Sequence, residues 1–173
     1  MSEPTGMSRY YPPVQSLGLL ALRLALALVF VLHGAHAMFG IGAGPAVGPG
    51  GLSATGAGFS KAGLEPGFLM AVTAAVVQLA GGLLIGAGFL TRYAAAAVLV
   101  YLMLVGWKLH LMWGFFLNWG VDPTRGHGLE FTVALGGGLL CLIFAGAGDA
   151  SIDGMRSTRA NERAAGRARL RRS

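Results

Sequence analysis

Ionisable side chains are scarce inside the apolar runs of this sequence, and apart from Arg23 those present fall at one depth. His33 and His36 stand three residues apart, a spacing that sets both imidazoles on one helical face. Lys108 and His110 stand two apart and point in different directions, so one of them is expected to share a cavity with the histidine pair. Glu130, preceded by His127, opens a later apolar run and makes a natural cross-helix charge pair with Lys108. Imidazole suits proton exchange with a polar ligand because its unperturbed pKa lies near neutrality. His33, His36, Lys108, His110 and Glu130 are therefore the candidate ligand-binding residues. A competing reading sets the histidines at headgroup level, beside Trp107, Trp113 and Trp119 as an aromatic belt. Arg23 and Gln78 are the remaining candidate buried polar groups; Gln78, followed by Gly81 and Gly82, suits an interhelical hydrogen bond better than chemistry.

Other chemistries find no support. Cys141 is the only cysteine, which leaves no internal disulfide, no CxxC pair and no multi-thiolate metal site. The chain has no P-loop, no GxGxxG, no HExxH and no Gly-x-Ser-x-Gly. Histidines on facing helices of a bundle can ligate haem or a metal, but nothing in this spacing demands either.

The elements that must position these residues are membrane helices. Apolar residues make up 54% of the chain and charged ones 12%, a balance outside that of soluble domains. Leu17 to Phe39, Gly67 to Leu90, Tyr93 to about Phe116 and Leu129 to Ala147 are apolar runs of roughly the twenty residues needed to cross a bilayer. The expected fold is all-α, a four-helix transmembrane bundle. Its parts are an N-terminal segment (1–16) with Tyr10, Tyr11, Pro12 and Pro13 as an interfacial lead-in, a membrane domain (17–148) and a basic tail (149–173). Gly40 to Pro66, rich in Gly and Pro, could not satisfy its backbone in lipid and must connect helices outside the hydrocarbon core. Thr91 and Arg92 join the second and third runs as a hairpin, and Asn118 to Gly128 connects the third to the fourth.

With four spans, Arg9, Arg92 and the seven arginines after Asp153 share one side, against Lys61 and Arg125 on the other. The positive-inside rule then makes both termini cytoplasmic and the histidine level outer. The tail, Arg156 through Arg172, is expected either as a solvated segment or as a short helix on anionic lipid headgroups. Its charge is not read as nucleic-acid binding. A rival topology treats Arg23, Leu24 to Leu32 and Ala35-His36-Ala37 as a secretory signal, with a mature chain from Met38. The apolar character begins at Leu17, however, before the arginine, and an Arg this close to a helix end is expected to snorkel to the interface.

LALALVFVLHGAHAMFG, VQLAGGLLIGAGFLTRYAA, the stretch from Trp107 to Phe116 and GHGLEF together resemble the DoxX family of small four-span membrane proteins, over about Leu17 to Asp153. The most specific parts are Arg23 with His33-Gly34, Gly81-Gly82 with Gly86 and Leu90-Thr91-Arg92, and His110 with Gly114-Phe115-Phe116. Family members often have glutamate where Gln78 stands and lysine where Ala37 stands; both differences remove a charge. The resemblance implies association with membrane redox assemblies, such as the membrane subunit of thiosulfate:quinone oxidoreductase; a quinone is the candidate cofactor, and the expected partners are membrane lipids and the subunits of such an assembly. The expected location is a bacterial inner membrane.

Three functions follow. In a quinone-linked subunit, a histidine or Lys108 would bind a quinone oxygen and exchange protons. In a scaffold or accessory subunit, Gly-rich faces and a basic tail suffice. A solute carrier is disfavoured by the lack of an inverted repeat.

Overall fold

A computed structural model describes residues 13–44 and 47–171, so the lead-in expected at Tyr10 to Pro12 lies outside the described residues. The described chain is all-helical: α1 (Pro13–Phe39), α2 (Leu52–Lys61), α3 (Gly67–Ala87), α4 (Thr91–Val105), α5 (Glu130–Ala145) and α6 (Ile152–Leu170).

α1 and α3 form the closest pair because small residues line their contact. Gly34 faces Leu79, Val31 faces Gly82 and Ala27 faces Gly86, an antiparallel register in which a Cβ on Gly34 would lie 2.5 Å from the Leu79 backbone nitrogen. Glycine there lets the backbones touch, the packing that membrane helices favour where lipid provides no hydrophobic drive. α4 packs on α3 and α5, and α5 returns against α1. Leu26 and Phe30 of α1, Ile85 of α3, Val98 of α4 and Leu139 and Leu142 of α5 share one buried core. Leu17, Leu24, Leu28 and Leu32 form an exposed stripe on the outside of α1. In water such a surface would be a liability; in a bilayer it is the lipid contact.

Three stretches are long and apolar enough to cross a membrane: Val14–Phe39, Gly67–Ala87 and Thr91–Trp113. The fourth apolar helix is shorter than expected. α5 has 16 residues, about 24 Å at 1.5 Å per residue against a hydrocarbon core of roughly 30 Å. Its two ends are nonetheless held at opposite ends of the bundle. Its first residue, Glu130, donates its backbone N–H to Phe115 O (2.7 Å), two residues past the Thr91–Trp113 stretch, and Ala147 O accepts from Arg23 (2.9 Å) in the first half of α1. The two ends are called here the histidine end and the arginine end.

Two elements differ from expectation. The Gly40–Pro66 connection contains α2, whose Phe59 is buried with Leu64 against Ala71 and Ala74 of α3, so the connection is a lid on the histidine end. The helix expected from Tyr93 to Phe116 keeps α geometry only to Val105, then widens into a π turn (Gly106–His110) and tightens into a 3-10 turn (Leu111–Trp113). The change begins at Gly106, where a Cβ would meet Thr132 of α5 at 2.7 Å. Lys108 and His110 ride on the π turn, so angular positions inferred from α spacing do not hold for them.

Candidate functional site

The histidine end is built from two loop clasps. At the end of α1, His36 O accepts the N–H groups of Gly40 and Gly51, both at 2.9 Å, folding the connection back over the helix. Gly50 must be glycine for this: a Cβ there would lie 2.6 Å from Gly40 Cα and 2.8 Å from His36 Cε1. The half-buried His36 ring adds a bond from Nδ1 to Ile41 O at 3.1 Å. His33, one turn earlier, is exposed, and its Nδ1 lies 2.9 Å from Val29 O. A carbonyl only accepts, so Nδ1 carries a proton, and in the neutral ring Nε2 is left as the acceptor.

The second clasp holds residues 114–129. His110 Nδ1 donates to His127 O at 2.9 Å, His127 Nδ1 accepts the Asn118 N–H at 3.2 Å, and Glu130 Oε2 accepts the Leu117 N–H at 3.1 Å. Farther along the loop, Asn118 Nδ2 donates to Asp122 O and Arg125 O, each at 2.7 Å. The Asp122 carboxylate accepts from the Thr124 hydroxyl and N–H; these bonds, with Arg125 nearby, hold its pKa below the ordinary carboxylate range.

The cross-helix pair expected between Lys108 and Glu130 is not formed. The exposed Lys108 ammonium sits 5.0 Å from the centre of the neighbouring Trp107 ring, while Glu130 serves the Leu117 amide. The widened turn around Lys108 accounts for the difference. His110 and Glu130 are brought together through the loop they both hold; His36 belongs to the other clasp, and His33 bonds only within its own helix. Among the described residues no three His, Cys, Asp or Glu side chains gather as a metal site.

The arginine end carries a denser network. Arg23 does not snorkel: it is 2% exposed and spends its guanidinium on four carbonyls. Nε donates to Ile85 O (2.9 Å), Nη2 to Gly86 O (2.7 Å), and Nη1 to Ala147 O (2.9 Å) and Ala150 O (2.8 Å). Three of these carbonyls are at or just past the C-termini of α3 and α5, whose negative dipole ends favour a cation. The nearby carboxylate is Asp153, whose Oδ1 accepts the Leu90 N–H and whose Oδ2 accepts the Thr91 N–H and hydroxyl, all at 3.0 Å. It caps α4 from 62 residues away and holds Leu90 in a left-handed conformation at φ 48°. Ser16 Oγ completes the knot by accepting the Asp149 and Ala150 amides. Midway along the bundle, buried Gln78 donates to Tyr101 OH at 3.0 Å, joining α3 to α4.

Sequence reasoning missed Asp153, Thr91, Ser16 and Tyr101 as partners. Thr91, just after an apolar run and a turn, is a helix-start residue by type; no local signal points to a carboxylate so far along the chain.

The DoxX family model matches residues 18–111, more than half of the chain. The matched region runs from the start of α1 through the π turn and includes Arg23, His33, His36, Gln78, Lys108 and His110; Glu130 and Asp153 lie beyond it. No curated protein and no solved structure matches the chain.

Proposed function

The chain belongs to the DoxX family, and from that premise we propose that this multi-pass membrane protein is an accessory subunit of a membrane redox assembly, acting as a scaffold. One observation carries this reading. His36, His110 and Glu130, three of the five side chains with the chemistry for a proton-exchanging site, direct hydrogen bonds at backbone groups of the loops at the histidine end. Their geometry serves to shape a surface, and around it Phe115, Phe116, Trp119 and Val121 stand exposed. In this reading α5 is a fourth crossing, the membrane is a bacterial inner membrane, and both termini are cytoplasmic with Arg92. Extraction of the protein from its native membrane in mild detergent, followed by identification of co-purifying polypeptides, is the test. Stoichiometric recovery with oxidoreductase subunits is expected; a protein recovered alone and fully assembled would refute the reading.

His33 favours a second reading, a quinone contact. Its ring is exposed on a span with Nε2 free to accept a hydrogen bond, as from a quinol hydroxyl. Quinone content of the extracted protein, compared between wild type and His33→Ala, separates the two: bound quinone lost in the variant favours the second reading, and no quinone in either favours the first.

A further inference from the structure

We propose that α6 is a binding surface for anionic phospholipid headgroups of the membrane in which the bundle sits. Arg156, Arg159, Arg163 and Arg167 recur at spacings of three and four along α6, which at about 100° per residue places them in one stripe. Arg159, Arg163 and Arg167 are exposed and make no ion pair or hydrogen bond among the described residues. Of the two carboxylates of α6, Asp153 is committed to Leu90 and Thr91, and Glu162, with Asp149, borders the stripe only at Arg159.

The position of the helix decides what such a stripe meets. α6 starts two residues after Ala150, whose carbonyl is bound by Arg23 inside the bundle, so its first turn is fixed at the ends of the spans. The first member of the stripe lies there as well, with the Arg156 guanidinium 5.3 Å from the centre of the Phe89 ring in the α3–α4 turn. The stripe therefore begins beside the ends of the spans at the arginine end, next to where the headgroups of a surrounding bilayer would lie. The residue type fits the same ligand. The segment after Asp153 has seven arginines and no lysine, and the planar guanidinium fork matches phosphate oxygens in a bidentate way that an ammonium does not.

The test uses the full chain in nanodiscs, with Cys141→Ala removing the native thiol. A nitroxide at Ala160→Cys, beside the stripe, reports shielding from a water-soluble relaxation agent; a second at Ala165→Cys, on the far face, is the control. In discs containing phosphatidylglycerol the first probe should become shielded, in pure phosphatidylcholine it should stay exposed, and high salt should reverse the shielding. At about fivefold per arginine, Arg159→Gln with Arg163→Gln should lower the docked-to-free ratio more than tenfold. Equal exposure in both lipids would overturn the proposal, as would equal shielding in both, which would mean docking on the protein itself. Shielding by added RNA without any response to phosphatidylglycerol would overturn it in favour of a nucleic-acid surface.

Discussion

Arg23 and Asp153 do the work of tertiary structure through single side chains. If Arg23 is replaced by leucine, four carbonyls lose their donor in a region with little water, and buried unsatisfied groups cost about 1–3 kcal/mol each before relaxation. Arg23→Leu should therefore lower stability by about 3 kcal/mol or more, and Arg23→Lys should recover only part, since one ammonium cannot reproduce the fork. Thermal unfolding in detergent reads both; a leucine variant as stable as wild type would remove Arg23 from its proposed place in the fold. The arginine was visible in the sequence as a charge inside an apolar run, but its partners were not. They lie 62 to 127 residues away, and a backbone carbonyl leaves no mark in residue type. Lys108 and Glu130 show the same limit from another side. Depth along a helix can be counted from the sequence, whereas direction around it depends on winding, and the π turn at Gly106–His110 alters that winding.

Among elements, the α1–α3 contact and α2 answer differently to the same substitution. Gly34→Ala would drive a methyl to 2.5 Å from the Leu79 nitrogen; a backbone cannot step aside as a side chain can, so a loss at the upper end of about 1–3 kcal/mol is expected. Gly58 in α2 is exposed with nothing within 4 Å of its Cβ position, and Gly58→Ala should stabilise by about 0.5–1 kcal/mol through helix propensity. Equal effects of the two in one unfolding assay would mean that close packing of α1 on α3 does not matter. The tail divides in a related way. Asp153→Ala removes the cap of α4 and should cost about 1–2 kcal/mol, while truncation after Arg156 leaves that cap in place and should be neutral for stability. The apolar runs and the Gly/Ala composition were enough to locate α1, α3 and α4, because length and hydropathy are local properties. α2 was missed because its apolar content is low; only Phe59, landing on Ala71 and Ala74, makes it part of the core.

For the whole molecule the open variable is the path of α5, and it can be read with two probes. α5 alone is shorter than the hydrocarbon core, yet hydrogen bonds fix its start to Phe115, past the turns that follow α4, and the segment after it to Arg23. In the proposed four-span reading, these ties carry α5 across with its neighbours, and the flanking residues make up the remaining thickness. In that same reading, the positive-inside rule applied to the arginines puts the arginine end in the cytoplasm. In a Cys141→Ala background, Ser60→Cys on α2 and Ser157→Cys on α6 are both at exposed positions, so each thiol is open to a reagent on its own side. The expected outcome is that an impermeant thiol reagent reaches Ser60→Cys in intact cells and Ser157→Cys only after lysis. Labelling of both in intact cells would mean that α5 does not cross and that three spans carry the protein. The reverse pattern, Ser157→Cys labelled and Ser60→Cys protected, would keep four crossings but invert the molecule, putting the histidine end and its clasps in the cytoplasm.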